Sequence, residues 1–204
     1  MCVIVAKYFD GIGWAGAKNR DRNYTPTLDF IESESNGVDR MMMHDQITGY
    51  KEGINDQGVS ILNTSLDVYD DESEVDSGSV KSSPDGRIIE LALAQPNAKQ
   101  AAQIIVKKKM GGCTIVFDQQ DLYLIESSDW DKTRPYQYQV RKISPQQTVA
   151  RTHHGIWIPS AGYQRRENND SETLSRISSE TRLLLAKAVV QRAQDPEDLV
   201  DGMS

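Results

Sequence analysis

The first residue able to do chemistry is Cys2, which follows Met1 directly and precedes the apolar run Val3-Ile4-Val5-Ala6. Removal of Met1, which a small second residue permits, would leave Cys2 with both a thiol and a free α-amine. Their unperturbed pKa values are about 8.5 and about 8, so either group is readily tuned to work near neutral pH. An N-terminal amine so placed can act as the base that activates its own side chain. The competing reading makes Cys2 a small buried hydrophobe in an N-terminal strand. A second chemical cluster is the polar patch Lys18-Asn19-Arg20-Asp21-Arg22-Asn23, which otherwise reads as a solvated loop. A third is His153-His154. Adjacent histidines on a strand point to opposite faces, so the pair does not suit one ion, and no metal site is expected. A papain-like pair of Cys2 with His154 is less economical than the α-amine as base.

These groups need elements to bring them together. Residues 2–6 are short, apolar and β-branched, the pattern of a strand buried from its start. Asp10-Gly11-Ile12-Gly13 supplies hairpin-turn chemistry, and Trp14-Ala15-Gly16-Ala17 leads back as a second strand. That return carries Lys18 to Asp21 towards the thiol. Residues 28–33 alternate like a strand, Asn36-Gly37 marks a turn, and Met41-Met42-Met43-His44 reads as the returning strand. Residues 53–58 are expected to form a tight turn and 59–63 a strand. The acidic, serine-rich stretch 67–86 is expected to be a mobile loop or an edge of the site.

Helices are expected at 87–94 and at 98–109. Asn97 caps the second, apolar positions 101, 102, 104, 105 and 106 line one face, and Gly111-Gly112 ends it. Lys107-Lys108-Lys109 then falls in the last turn, where cations complement the helix dipole. A hairpin over 113–117 and 122–126 follows, with Cys113 buried in it, then strands at 136–143 and 148–151 and a last helix over about 171–194. Strands, two helices, strands and a helix indicate an α+β layered domain, 1–204, without repeats or linkers.

Composition narrows the partners. The 204 residues are 38% hydrophobic and 26% charged, with a net charge of −7, which argues against nucleic acid and anionic membranes. No stretch approaches a membrane span, and residues 2–6 are too short, with no basic region before them, for a signal peptide. Two cysteines make no disulfide framework, so a cytoplasmic, reducing setting is expected.

The start Met1-Cys2, the patch Asn19-Arg20-Asp21, the segment Glu52-Gly53-Ile54-Asn55-Asp56-Gln57-Gly58-Val59 and Leu62-Asn63 resemble the N-terminal-nucleophile (Ntn) amidohydrolases. Within them the chain is most similar to the choloylglycine hydrolase and penicillin V acylase group and its acyltransferase-like (C45 peptidase) relatives. Residues 112–118 and Leu124-Ile125-Glu126-Ser127 resemble that group's central hairpin, and Arg151-Thr152-His153-His154-Gly155 its Thr-Asn-His segment.

The resemblance implies a four-layer αββα sandwich with two mostly antiparallel sheets, and cleavage of a non-peptide C–N amide bond in a small N-acyl compound, without a cofactor. The Cys2 thiol would attack the carbonyl and its own α-amine would move the proton, giving a thioester acyl-enzyme. Asp21 matches the carboxylate that orients the amine. Lys18 stands where the bile-salt enzymes carry an arginine beside the nucleophile, and Arg20 competes for that role. Asn63 matches an oxyanion-hole residue, and His153 replaces the asparagine that supplies the second donor. Arg182 in Ser178-Ser179-Glu180-Thr181-Arg182 matches a basic residue near the start of a late helix, with Arg176 as another register. The bile-salt enzymes continue with more sheet beyond that helix, so this chain reads as a minimal or truncated member whose bare sheet edge could pair in a homo-oligomer. A catalytically silent binding or scaffold protein and an acyltransferase are the alternative functions. Tyr24, Met41 to Met43, Tyr69 and Trp157 are candidates to line a pocket, with ordinary packing as the competing reading.

Overall fold

The computed structural model describes residues 2–20, 25–64, 66, 84–128, 136–158 and 170–203, the side chains of residues 84 and 170–176 excepted. Its elements run β1 (Cys2–Phe9), β2 (Gly13–Arg20), β3 (Leu28–Ser35), β4 (Val38–Asp45), β5 (Lys51–Asn55), β6 (Ser60–Thr64), α1 (Pro84–Leu93) and α2 (Ala98–Lys107). Then come β7 (Gly112–Phe117), β8 (Leu122–Ser128), β9 (Gln137–Ile143), β10 (Val149–Arg151), α3 (Asp170–Arg192) and α4 (Pro196–Met203).

The architecture follows from the alternation along β1. Ile4 and Ala6 belong to one core, while Val3, Val5 and Phe9 belong to another, and all five are buried. A strand buried on both faces has to lie between two layers. Here β1 is the centre of a three-stranded antiparallel sheet of order β10-β1-β2. On one side, Val3, Val5, Phe9 and Ala17 pack against Leu183, Ala186 and Val190 of α3 and Leu199 of α4. On the other, Ile4, Ala6 and Trp14 pack against Cys113, Ile115, Phe117, Leu122 and Leu124 of a second sheet.

That second sheet has seven antiparallel strands in chain order, β3 through β9. Its far face sends Met42, Ile61, Val116 and Ile125 into a third core with Ile89 and Leu93 of α1 and Ala98, Ala101 and Ile105 of α2. The protein is therefore α+β, with two antiparallel sheets packed face to face and helices on both outer faces. Asn97 caps α2 as its sequence predicts, the side chain accepting from the Gln100 N–H at 3.0 Å. Asn97→Ala should lower stability by about 1 kcal/mol, read from the urea midpoint.

Several boundaries differ from the expectation. Gly53-Ile54-Asn55 is strand, not turn, because β5 lies directly against β4 and a side chain at Gly53 would strike the Met41 carbonyl. The turn is confined to the residues after it, where Asn55 Oδ1 accepts from the N–H groups of Gln57 and Val59. Helix α2 ends at Lys107 rather than 109. Lys109 itself takes the left-handed conformation (φ 57°), a role assigned in advance to the glycines behind it. Helix α4 was not foreseen. Residues 67–83, most of the expected acidic loop, lie outside the described residues. Among the described residues, no helix is long and apolar enough to cross a membrane.

The three-stranded sheet is too narrow to cover the seven-stranded one. Among the described residues nothing covers the inner face of β3, β4 and β5, and Phe30 is 74% exposed there, with Met41 and Ile54 beside it.

Candidate active site

The β1–β2 hairpin sets the first contacts. Its register pairs Cys2 with Arg20 and Ile4 with Lys18. Ile4 faces the core between the sheets, and paired residues of neighbouring strands share a face, so Lys18 and Arg20 flank Cys2 on that inner face. Asn19, one residue out of phase, points the other way, and its amide donates to the Met203 carbonyl at 2.7 Å, tying β2 to α4.

The opposite sheet supplies a counter-charge. The Lys18 side chain is only 5% exposed, and its Nζ donates to Glu52 Oε1 at 2.5 Å and to the Asn63 carbonyl. Glu52 Oε1 also accepts from Tyr50 OH and from the Asn63 N–H, each at 3.1 Å. Arg20 Nε lies 3.9 Å from Glu52 Oε2. Both cations sit over the Tyr50 ring, Lys18 Nζ at 4.8 Å and the Arg20 guanidinium carbon at 4.3 Å from its centroid. Burial lowers the Lys18 pKa, and Glu52 opposes that shift. Burial, followed by the charge of Glu52, holds the Tyr50 hydroxyl well above its usual range.

On the other flank stands His153, buried just beyond β10. Its Nε2 accepts from the Cys2 main-chain nitrogen, and the ring also hydrogen-bonds the thiol. Burial alone would raise the thiol pKa. The His153 hydrogen bond and the charges of Lys18, His153 and Arg20 outweigh it and bring the pKa down from 9.0 to about 7. The other cysteine shows the contrast. Cys113, buried between the sheets with no such donors, is pushed up to about 12. Both thiols are free.

The turn after His153 is held by a buried carboxylate. Glu126 accepts from the N–H groups of Ile156, Trp157 and Ile158 at 3.0, 2.8 and 2.6 Å. His154 faces elsewhere, its Nδ1 lying 2.9 Å from both Thr152 Oγ1 and Ser179 Oγ. The two histidines thus serve different surroundings, although they lie in the bend after β10 and not in a strand as expected. Among the described residues, no group of three or more His, Cys, Asp or Glu is arranged to hold a metal ion.

Asn63 lies on β6, next to the Lys18–Glu52 pair, but its side-chain amide is engaged. Nδ2 donates to Thr114 Oγ1 at 2.7 Å and to the Gly111 carbonyl at 3.4 Å. Gly112 makes room for it: a side chain there would meet the Thr64 carbonyl and Asn63 Nδ2, and its φ of +103° is one that other residues rarely adopt. Gly112→Ala should therefore cost about 1–3 kcal/mol and displace the Asn63 amide, visible as a shift of its side-chain NMR signals.

Arg182 lines a different cavity. This space of about 420 Å³ lies between α3, α4 and the outer face of the three-stranded sheet, with Val3, Asn19 and Met203 in its wall. Arg20 reaches both it and the inner face. Asp21 lies outside the described residues, as do Tyr24, Tyr69 and the side chain of Arg176. The open inner face forms a groove of about 490 Å³ starting at Lys18, Arg20 and Glu52 and floored by Phe30, Met41 and Met43. Met42 instead points into the core under α1, and Trp157 stacks against Arg141 and Arg151.

Glu52 and Tyr50 were missed as members of the site. The one signal available was an acid within a strand, which implies a buried cation without saying which. Compared with known proteins, the chain matches no family model, and no curated protein is significantly similar to it.

Proposed function

We propose that the protein is an N-terminal-nucleophile cysteine amidohydrolase of αββα sandwich architecture, acting on the amide bond of a small N-acyl compound. The observation that carries this reading is the placement of Cys2, flanked on the inner face by Lys18 and Arg20 and hydrogen-bonded by His153, a setting that lowers the thiol pKa to about 7. A thiol half ionised near neutrality attacks a carbonyl carbon far more readily than an ordinary cysteine. The groove that begins at Lys18 and Arg20, the residues flanking Cys2 on β2, offers apolar walls for an acyl group, with its charged residues confined to that end.

The steps follow from that placement. The thiolate adds to the amide carbonyl, the carbon–nitrogen bond breaks as the leaving amine takes a proton, and a thioester remains on Cys2. Water then releases the acid. Lys18 and Arg20 stabilise the thiolate before attack. Glu52 keeps those two cations in place.

The test is a panel of N-acyl amides varied in acyl length, with released amine measured by an amine-reactive fluorophore. Release that disappears in Cys2→Ala supports the proposal. Asn63 favours a second reading, because both its amide hydrogens are already engaged and neither is offered to an oxyanion. In a silent binding protein of the same architecture, the panel would give ligands that raise the melting temperature but release no amine.

A further inference from the structure

We infer that His153 is the proton acceptor for the Cys2 thiol, so that the two form a nucleophile–base pair that operates whether or not Met1 has been removed. This rests on the reading of Cys2 as the nucleophile, but it departs from a mechanism in which the α-amine is the only base.

His153 Nε2 accepts from the Cys2 main-chain N–H. A ring nitrogen that accepts carries no proton, so the neutral imidazole holds its proton on Nδ1 and aims a lone pair at Cys2. That form is unsuited to donating to an oxyanion through Nε2, the role expected from the family pattern. It is the form that can take a proton from the thiol, which the same ring hydrogen-bonds, once the single Nε2 lone pair turns from the main-chain N–H to the neighbouring S–H. With Met1 attached, the Cys2 nitrogen is a peptide nitrogen and has no basicity to offer, whereas the imidazole is present in either case.

Position supports the same role. Glu126 pins the main chain two residues beyond His154, and His154 is turned away by Thr152 and Ser179, so the 153 ring alone faces Cys2. Among the described residues, the charged and titratable groups around the thiol are Lys18 and Arg20 on β2 and His153 beyond β10, with Tyr50 and Glu52 behind Lys18. In the reaction, the sulfur–hydrogen pair becomes the thiolate and the proton passes to Nε2. The carbon–sulfur bond forms while the carbonyl π pair moves to oxygen. When that pair returns, the carbon–nitrogen bond breaks and Nε2 gives its proton to the leaving amine. In the second half, Nε2 takes a proton from the attacking water, the carbon–sulfur bond breaks as the acid is released, and the proton passes from Nε2 back to sulfur.

The experiment measures alkylation of Cys2 by iodoacetamide across pH, with intact-mass detection resolving Met1-bearing and Met1-free protein. Expression with a methionine aminopeptidase inhibitor enriches the first species, and aminopeptidase treatment the second. Both species of the wild type should inflect near pH 7. In mildly acid solution both should label roughly fivefold faster than an ordinary cysteine, a thiolate gain of about thirtyfold offset by lower nucleophilicity. In His153→Asn both should slow several-fold, with the inflection moving up towards 9.0.

The inference is overturned if only Met1-free protein inflects near 7, or if His153→Asn leaves the inflection in place. Cys113, with its pKa near 12, must stay unlabelled in any folded variant. If His153→Asn exposes it, the comparison of the two wild-type species decides alone. No substrate is used, so a failed amide screen leaves this result standing. Amide cleavage confined to Met1-free protein would keep the hydrolase and remove the pair.

Discussion

Glu52→Gln is expected to destabilise the protein by about 3–5 kcal/mol, measured by urea unfolding at neutral pH. Glutamine keeps an oxygen that can accept from Lys18, Tyr50 and the Asn63 N–H, the partners of Glu52 Oε1 in the native protein. What it removes is the negative charge. Lys18, 5% exposed, would then be left charged between two sheets with Arg20 beside it and, among the described residues, only the partly ionised Cys2 thiol to oppose its charge. An uncompensated buried charge costs far more than a surface pair is worth. The pH dependence has a definite sign. Burial already lowers the Lys18 pKa from 10.5, and loss of Glu52 lowers it further. A base whose folded pKa is depressed loses stability as pH falls from its unfolded value. The deficit of Glu52→Gln should therefore shrink as pH rises towards 10.5, where Lys18 sheds its proton in both states. A deficit that stays constant with pH would point to packing, not charge.

Cys2→Ala should have the largest effect on activity, lowering amide cleavage by at least about 10³-fold. Its effect on folding should be small, because Cys2 is half-buried at the start of β1 and its side chain belongs to none of the three cores. Cys2→Ser should lose nearly as much. Lys18, Arg20 and His153 bring a thiol pKa of 9.0 down to about 7, but a hydroxyl ionises too far above that range for the same surroundings to give an alkoxide. Groups that act as one unit are not additive. Once Cys2 is gone, His153→Asn should remove no further activity. Additional loss in the double variant would mean that His153 contributes separately from the thiol.

The sequence made the near half of this site legible, because hairpin chemistry is local. Asp10 to Gly13 fixes the turn, the period of two fixes which residues share a face, and Lys18 and Arg20 then have to flank Cys2. Periodicity and turn chemistry also located every strand and helix that contributes to the three cores except α4, together with the Asn97 cap. The far half depends on contacts between sheets. Nothing near residue 50 says that Tyr50 and Glu52 meet Lys18, since that contact exists only once the seven-stranded sheet lies against β2. Gly16 is part of the reason they meet: a side chain there would press on Leu62 and Phe117 and hold the layers apart.

Asn63 and His153 were identified as site residues but given uses that their hydrogen bonds do not match. The amide of Asn63 is drawn to Thr114, its neighbour across β6 and β7, and the His153 ring faces the Cys2 nitrogen as an acceptor. Side-chain direction of that kind is decided by packing, which spacing along the chain does not encode. Helix α4 was readable and overlooked. Asp195 precedes Pro196 and accepts from the Asp198 N–H at 2.9 Å, an N-cap followed by proline in the first turn.

The central claim is that Cys2 becomes acylated during turnover. The most direct measurement is intact mass with peptide mapping after rapid acid quenching of the protein mixed with an N-acyl amide from the panel. The account predicts a mass increase equal to the acyl group, located on Cys2, cleaved by hydroxylamine and missing in Cys2→Ala. Amine release with no acyl adduct on Cys2, or an adduct that persists in Cys2→Ala, would contradict it.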